Sequence, residues 1–129
     1  MILTPQSCDE GVDVLSRGAE GIQLIQCKHT TFGRDIDEEA IGELIEAFDG
    51  YRARYFAGKS AALGVTLTTT GKFTNKAKVL ARDAGVRLVS GQDIGGTLAE
   101  HPVSFAQVEE TEGSRCRTMR DVRYAIYKW

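Results

Sequence analysis

Residues 11–29 constrain the fold more than any other stretch of the chain. Segments 11–15 and 22–29 each carry closely spaced apolar residues, and the short polar segment 17–21 between them contains two glycines. Glycines in a short polar connection between two apolar runs are typical of a β-hairpin. The sequence therefore predicts two adjacent strands joined by a tight turn.

Polar residues follow the apolar part of the second predicted strand. Because successive side chains of a strand point to opposite faces, Gln26 and Lys28 share one face and Cys27 lies on the other. Asp13 lies on the first strand and can approach that pair once the strands are adjacent. We therefore expect the chemistry of the protein where this carboxylate, amide and lysine meet.

Size and composition indicate one globular domain. The 129 residues are enough to bury a sizeable core, and a net charge of −2 neither indicates nor excludes a polyanionic partner. Cys8, Cys27 and Cys116 are odd in number and widely spaced, which supports neither a disulfide framework nor a zinc site. No apolar run reaches membrane-spanning length and no export signal is visible. We therefore expect a cytoplasmic protein with reduced thiols and no membrane partner.

The middle of the chain alternates helical and strand patterns. From about Asp35 apolar residues recur every three or four residues, Asp35 and Glu38 fit a capping box, and Gly50 indicates a kink or an early end. Thr74 suits the N-cap of a second helix and Gly85 its C-terminal end. Strands are predicted at 63–70 and 86–89, and a further helix at 92–100. The order β-β-α-β-α-β-α predicts an α/β fold in which helices cover a mixed sheet.

The pattern weakens beyond the third predicted helix. Residues 103–108 favour a strand, 109–114 favour an exposed loop, and 119–129 fit a helix and a strand equally well. We predict a core at residues 1–102 and a C-terminal extension at 103–129 that packs on it or extends it within a single domain.

Asp13, Gln26 and Lys28 together suit metal-assisted hydrolysis. Asp13 would bind a hard divalent cation through its carboxylate, with Gln26 and the Cys27 carbonyl oxygen as further ligands. Such a cation lowers the pKa of a water, and Lys28 would orient that water and stabilise the transition state on a phosphate. The alternative is that Asp13 closes a turn while Gln26 and Lys28 lie on a solvated edge, and spacing alone favours this alternative.

Three motifs taken together favour the catalytic interpretation over the solvated edge. Residues 9–13 read D-x-G-x-D, residues 26–28 read Q-x-K, and residues 69–77 read T-T-x-x-F-T-x-x-A. Their order and spacing, within a similarity over most of residues 4–100, resemble the Mrr-type branch of the restriction-endonuclease-like superfamily, the PD-(D/E)xK nucleases. The combination is far more specific than any one motif.

The resemblance implies a fold, an activity and a site. The fold would be a central mixed β-sheet flanked by helices, and the activity hydrolysis of DNA phosphodiester bonds with Mg²⁺ or Mn²⁺, of the restriction or defence type. Asp13 matches the metal-binding aspartate, Lys28 the catalytic lysine, and Gln26 a position that is acidic in much of the superfamily and glutamine in this branch. Glu43 and Glu46 are candidates for an extra acidic ligand, although a solvated helix face is the simpler interpretation.

The chain departs from the family pattern at its start. The family's usual first helix, which carries an acidic residue, would precede Thr4, so we expect that helix to be absent. Either the domain belongs to a longer parent chain with other domains, or another segment such as 119–129 covers the exposed sheet face.

Two other functions fit the same fold. One is a non-catalytic DNA-binding or interaction module of a larger multidomain protein, and the other is a junction-resolving nuclease. For the endonuclease the expected partner is DNA, with or without methylated bases. Cutting both strands with one site per chain requires two copies, which makes a homodimer a candidate assembly. Dependence on divalent metal and on Lys28 distinguishes cleavage from binding.

Two sets of residues are candidates for DNA contact. Lys72, Thr74, Asn75 and Lys76 surround a strand-to-helix turn and suit a DNA phosphate, with simple N-capping by Thr74 as an equal alternative. The C-terminal segment is basic and interleaved with aromatic residues, which suits a nucleic-acid backbone, although a solvated face is favoured. Its basic residues are Arg115, Arg117, Arg120, Arg123 and Lys128.

Overall fold

The fold is built on a five-stranded sheet. The computed structural model describes residues 1–6, 10–30, 34–57 and 63–129. The strands are β1 (Ile2–Leu3), β2 (Val14–Gly18), β3 (Gly21–Lys28), β4 (Leu63–Thr69) and β5 (Val86–Val89). They follow one another across the sheet in chain order, antiparallel from β1 to β3 and parallel from β3 to β5. The sheet is therefore mixed, as predicted.

The described residues also form five helices. They are α1 (Glu38–Tyr55), α2 (Asn75–Ala84), α3 (Gly91–Glu100), α4 (Phe105–Gly113) and α5 (Met119–Tyr127). α1 connects β3 to β4, α2 connects β4 to β5, and the others follow β5. The predicted α/β class is confirmed. Within the described ranges, no helix combines the length and the apolar character needed to cross a membrane.

The predicted hairpin is present as β2 and β3. Gly18 pairs with Gly21, so only two residues connect the strands. Gly21 has a φ of 120°, a region that favours glycine because it has no Cβ. Leu15 lies opposite Leu24 in this register, which places both side chains on one face.

The core lies between this face of the sheet and the helices. Leu24 is fully buried, and its register partners Leu15 and Val65 are also buried. Ile41 and Leu44 of α1 belong to the same apolar cluster. Burying a side chain of this size contributes about 1.5–3 kcal/mol, so this row fixes which face of the sheet α1 covers.

α1 and α2 lie on the same face of the sheet. Each helix connects two parallel neighbouring strands, and the two crossovers proceed across the sheet in the same direction. Right-handed crossovers in one direction place their helices on one face, and the two helices contact each other. Gln26 and Lys28 continue the row of Leu24, so they lie just beyond the core on the α1 side.

α1 begins later than the sequence indicated. Ile36 forms an isolated parallel bridge with Phe73, in which its N–H donates to the Lys72 carbonyl oxygen at 2.8 Å. This pairing holds residue 36 extended, so the helix cannot start before it. Asp37 is the N-cap, and its Oδ1 accepts from the Ala40 N–H at 3.2 Å. The predicted capping box of Asp35 with Glu38 is therefore wrong.

α1 continues past Gly50 to Tyr55. The Nε of Arg54 donates to the Gly50 carbonyl oxygen at 3.1 Å. A glycine inside a helix costs about 1 kcal/mol, and the complete burial of Tyr51 one position later outweighs that cost. Of the two alternatives predicted at Gly50, a kink or an early end, the early end is wrong for this reason.

Both ends of α2 agree with the sequence. The Thr74 hydroxyl oxygen accepts from the Ala77 N–H at 3.1 Å, which is the predicted N-cap bond. Gly85 ends the helix with a φ of 73°, in the left-handed region.

The segment after residue 102 is helical where a strand and a loop were expected. Ser104 caps α4: its Oγ accepts from the Gln107 N–H at 3.2 Å, and Gln107 Oε1 accepts from the Ser104 N–H at 2.8 Å. This reciprocal capping box starts a helix that continues to Gly113. The predictions of a strand at 103–108 and a loop at 109–114 are therefore wrong.

α5 resolves the last ambiguous element as a helix and joins the core. Val122 and Ile126 are buried in the main apolar cluster. The Tyr51 hydroxyl lies 3.9 Å from the Met119 sulfur, and the Arg123 guanidinium lies 5.3 Å from the centre of the Tyr55 ring. α5 therefore packs beside α1, and it also contacts β1.

Because α5 belongs to the core, truncating its buried residue should destabilise the whole domain. We expect Ile126→Ala to lower the free energy of unfolding by about 2–4 kcal/mol through lost burial and a cavity. Tyr127→Ala, at a neighbouring position that is 80% exposed, should change it by less than about 0.5 kcal/mol. Urea denaturation followed by circular dichroism measures both, and equal midpoints for the two variants would show that α5 does not share the core.

Candidate active site

Asp13 is held at the junction of the first strands. Its backbone N–H donates to the Ile25 carbonyl oxygen at 2.9 Å, which extends the β2–β3 ladder by one residue. Its Oδ2 accepts from the Cys27 backbone N–H at 2.7 Å. A charge-assisted bond of this length is among the stronger hydrogen bonds in proteins. The carboxylate is therefore fixed beside the end of β3, as the sequence predicted.

Thr4 fixes the backbone of Asp13 from the other side. It is completely buried, and its N–H donates to the Asp13 carbonyl oxygen at 3.0 Å. Its hydroxyl lies 2.7 Å from the Val12 carbonyl oxygen and 3.0 Å from that of Asp13. The acceptors are all backbone carbonyls, so the sequence carried no signal for this role of Thr4.

Gln26 presents an unsatisfied acceptor. Its side-chain oxygen is buried and has no hydrogen-bond partner within the described part of the chain. Leaving a buried acceptor unpaired costs about 1–3 kcal/mol. Such groups are rare in native proteins and require an explanation, and a ligand is one such explanation. Gln26 shares its face of β3 with Lys28, and the Asp13 carboxylate is bonded to the backbone of Cys27, between them in the chain.

Lys28 lies at the end of the same row and faces α1. Its Nζ is 3.9 Å from Glu43 Oε2, and the two side chains are 32% and 64% exposed. Of the two glutamates proposed as an extra acid, Glu43 is therefore the one that approaches the site. Glu46 is exposed on α1, and the described residues include no ion pair to it.

A cleft of about 560 Å³ opens beside Lys28. The end of β3 and the N-terminal turn of α1 form its walls. Its lining carries both signs of charge. The residues that line it are Lys28, His29, Thr30, Arg34, Asp35, Ile36, Asp37 and Ala40. The ammonium of Lys28 can therefore reach a ligand that enters from solvent.

Cys27 contributes its backbone to the site and directs its side chain to the other face. Desolvation and then the charge of Asp13 raise the pKa of its thiol above the ordinary value. The thiol therefore stays protonated at neutral pH and is a poor nucleophile and metal ligand. The Cys27 carbonyl oxygen as a metal ligand stays a prediction.

The turn between β4 and α2 ends at the same edge of the sheet. Lys28 lies opposite Thr69 in the parallel register, and a ring nitrogen of His29 lies 3.0 Å from the Thr70 hydroxyl. These contacts bring the turn carrying Lys72 next to the end of β3.

The four residues proposed for DNA contact surround this turn. Thr74 has a structural role, because its hydroxyl caps α2 and its N–H donates to the Ile36 carbonyl oxygen at 2.9 Å. Lys72, Asn75 and Lys76 are exposed. The capping alternative thus describes Thr74, while DNA contact by the other three stays a prediction.

Comparison with known proteins identifies the family. The family of the Mrr catalytic domain, described as a restriction endonuclease, matches residues 1–97. The chain belongs to this family. The resemblance inferred from the three motifs is therefore confirmed. No curated protein sequence matches the chain.

A solved structure shares the fold. The MspJI restriction endonuclease in complex with a 27-mer oligonucleotide superposes with a TM-score of 0.57 at 20% identity. The match covers 82% of this chain and 24% of that protein, so the chain spans about a quarter of its length. At this identity the likeness establishes the restriction-endonuclease-like fold alone.

The unsatisfied oxygen of Gln26 leads to a stability prediction. We expect Gln26→Met, which keeps the side-chain length and removes the buried acceptor, to raise the free energy of unfolding by about 1 kcal/mol. Gln23→Met on the opposite face should lower it, because Gln23 Oε1 accepts from the Thr66 hydroxyl at 3.3 Å. Urea denaturation of both variants is the test, and destabilisation by Gln26→Met would show that the amide is satisfied in solution.

Proposed function

We propose that this domain is a metal-dependent endonuclease that hydrolyses DNA phosphodiester bonds. The observation that carries the proposal is the buried side-chain oxygen of Gln26, which has no hydrogen-bond partner among the described residues. Gln26 shares its face of β3 with Lys28, and the Asp13 carboxylate is bonded to the backbone of Cys27, between them in the chain. The chain belongs to the restriction endonuclease family, and the resemblance described above implies that Asp13 and Gln26 would bind the metal and Lys28 would be the catalytic lysine.

The residues present fit a hard divalent cation such as Mg²⁺, with Mn²⁺ as a substitute. A carboxylate and an amide oxygen are hard oxygen donors, and the orphaned oxygen of Gln26 would gain a partner when a cation binds. The described residues contain no cluster of three or more His, Cys, Asp or Glu side chains suited to a metal. Mg²⁺ suits such a sparse set, because it usually keeps several waters and is held by one or two carboxylates and substrate phosphates.

Lys28 would supply a positive charge next to the phosphate, in addition to that of the cation. When bound, the cation favours deprotonation of a water and offsets charge on the phosphate. The Lys28 ammonium would donate a hydrogen bond to the attacking water and stabilise the negative charge that builds on the phosphate oxygens. Glu43 Oε2, 3.9 Å away, would orient the lysine before substrate arrives. We assign Glu43 this role ahead of direct metal binding.

DNA is the proposed substrate. The MspJI structure that shares the fold contains an oligonucleotide, which supports DNA as the partner of this chain as well. Lys72, Asn75 and Lys76, exposed on a turn at the edge of the sheet that carries Lys28, would contact the DNA backbone. Because the chain spans 24% of that protein, we propose that further domains supply sequence or methylation specificity. Because one site per chain cuts one strand, we propose that a second copy cuts the other.

A non-catalytic DNA-binding module is the second candidate. It is favoured by the uncharged Gln26, which leaves Asp13 as the single carboxylate of the proposed ligand set. Fewer anionic ligands weaken metal binding. Cleavage, which requires metal and Lys28, therefore separates the two candidates.

Removing either charged group of the site should abolish cleavage. We expect Lys28→Met and Asp13→Asn each to lower metal-dependent cleavage of supercoiled plasmid by at least about 100-fold. Lys28→Met removes a positive charge that would stabilise the transition state, and Asp13→Asn removes the carboxylate that would bind the cation. Lys78→Met, an exposed lysine on α2, is the matched control and should retain activity. Each protein is incubated with methylated and unmethylated plasmid in Mg²⁺, Mn²⁺ or EDTA, and nicking is measured on agarose gels.

Two results of the same experiment would contradict the proposal. Intact plasmid in every lane, with equal DNA band shifts for the wild type and Lys28→Met, would reject the nuclease and support the binding module. Nicking that persists in EDTA would reject the role of the metal.

The lysines of the β4–α2 turn should act on DNA affinity and not on chemistry. We expect Lys72→Ala and Lys76→Ala each to weaken DNA binding about equally across sequences and to reduce the salt slope of binding by about 1. Arg82→Ala, an exposed charge near the other end of α2, should leave the slope unchanged. Fluorescence anisotropy in EDTA at several salt concentrations measures this, and equal slopes for all variants would exclude the turn from the DNA interface.

A further inference from the structure

The side chain of Arg115 connects the C-terminal segment to the residues that lead into the site. Its Nη1 donates to the Thr4 carbonyl oxygen at 2.8 Å, and its Nε and Nη2 donate to the two carboxylate oxygens of Glu112 at 3.0 and 2.7 Å. The neighbouring Cys116 N–H donates to the Leu3 carbonyl oxygen at 3.0 Å. Two consecutive residues thus bind two consecutive carbonyl groups at the end of β1.

Thr4 transmits this contact to Asp13. On one side its carbonyl oxygen is held by Arg115, and on the other its N–H and hydroxyl hold the Asp13 carbonyl oxygen at 3.0 Å each. Thr4 is fully buried, so no water can replace these bonds without local unfolding. A continuous series of short hydrogen bonds therefore runs from Arg115 to the backbone of the proposed metal ligand.

The guanidinium is also electrostatically coupled to the site. Its hydrogen bonds to Glu112 chiefly raise the pKa of Arg115; desolvation opposes this rise, and the nearby charges of Glu112 and Asp13 add to it. The Arg115 side chain is 23% exposed. It is therefore a permanently charged, rigidly held group close to the Asp13 carboxylate.

We propose that Arg115 is a positioning residue of the nuclease site, which holds the Asp13 loop in its metal-binding geometry through Thr4. This inference rests on the proposed function above. Arg115 lies beyond residues 1–97, the part of the chain that matches the family, so this support comes from outside the family's domain. Groups that orient a metal ligand without touching the metal commonly contribute about 10- to 100-fold to metal affinity or activity.

The geometry favours positioning over direct binding of a DNA phosphate. An arginine has five N–H donors, and Glu112 and Thr4 occupy three of those of Arg115. A phosphate-binding arginine would direct its paired donors outward, whereas this fork is closed on Glu112. Lysine cannot reproduce the arrangement, because a single ammonium lacks the planar fork that holds Glu112 and Thr4 together.

Kinetics of plasmid cleavage test the proposal. We expect Arg115→Ala to lower kcat about 10- to 100-fold and to raise the Mg²⁺ concentration for half-maximal activity to a similar extent, with the KM for DNA unchanged. Arg115→Lys, which keeps the charge, should still show most of the loss of kcat and of the rise in Mg²⁺ requirement expected for Arg115→Ala. The matched control is Arg82→Ala, which removes an exposed arginine 3.5 Å from Asp83 and should leave all three parameters unchanged.

Thr4→Val keeps the side-chain shape and removes the hydroxyl. If Arg115 acts through Thr4, this variant should show the same combination of low kcat and high Mg²⁺ requirement, and the double variant with Arg115→Ala should be less than additive. Full additivity, recovery of wild-type kinetics by Arg115→Lys, or a rise in KM alone would overturn the proposal. Circular dichroism confirms that each variant is folded.

Amide hydrogen exchange supplies a measurement that needs neither metal nor DNA. The Cys27 amide reports on the Asp13 carboxylate to which it donates. We expect Arg115→Ala to speed its exchange about five- to tenfold, the loss of roughly one hydrogen bond, and to leave the Ala77 amide at the start of α2 unchanged.

The outcomes separate the two proposals. A wild type that cleaves no plasmid, with faster Cys27 exchange in Arg115→Ala, would reject the nuclease and retain the positioning role. An active wild type, with Arg115→Ala equal to Arg82→Ala in kinetics and exchange, would reject the positioning role and retain the nuclease.

Discussion

The hydrogen bond from the Cys27 backbone N–H to the Asp13 carboxylate, 2.7 Å long, is the contact on which the site depends. It joins the loop before β2 to the end of β3, the strand where the antiparallel and parallel halves of the sheet meet. The bond holds the carboxylate through a backbone donor. Gln26 and Lys28, on either side of Cys27, can therefore present their side chains to a ligand.

The row of side chains on β3 explains why Gln26 lowers the stability of the fold and why its side chain is available to a ligand. Ile22 and Leu24 are buried against α1, and Gln26 and Lys28 continue the same row as it leaves the core. A methionine at position 26 would extend the core, whereas the amide leaves a buried oxygen unpaired. Residues that break a local rule of stability in this way are characteristic of functional sites, because ligand binding supplies the missing partner.

The sequence could predict those features that depend on residues close together in the chain. The hairpin, the Thr74 cap and the shared face of Gln26 and Lys28 depend on residues a few positions apart, and all are present. The start of α1 depends on pairing between Ile36 and Phe73, which no local pattern reveals. α4 is a different error, since Ser104 and Gln107 form a local capping box that the strand prediction did not take into account. The role of Thr4 had no signal, because its partners are backbone carbonyl groups.

The role proposed for Arg115 makes the site depend on residues beyond the part of the chain that matches its family. Burial of Val122 and Ile126 fixes α5 against α1 and β1, and this packing determines where the chain just before α5 must lie. Arg115 and Cys116 then bind the carbonyl groups at the end of β1. Apolar burial has no directional preference, but here it positions donors that form directional hydrogen bonds to the end of β1, where Thr4 bonds to Asp13. A family defined by its chemical residues need not include such support, because any segment that packs at this edge of the sheet can supply it.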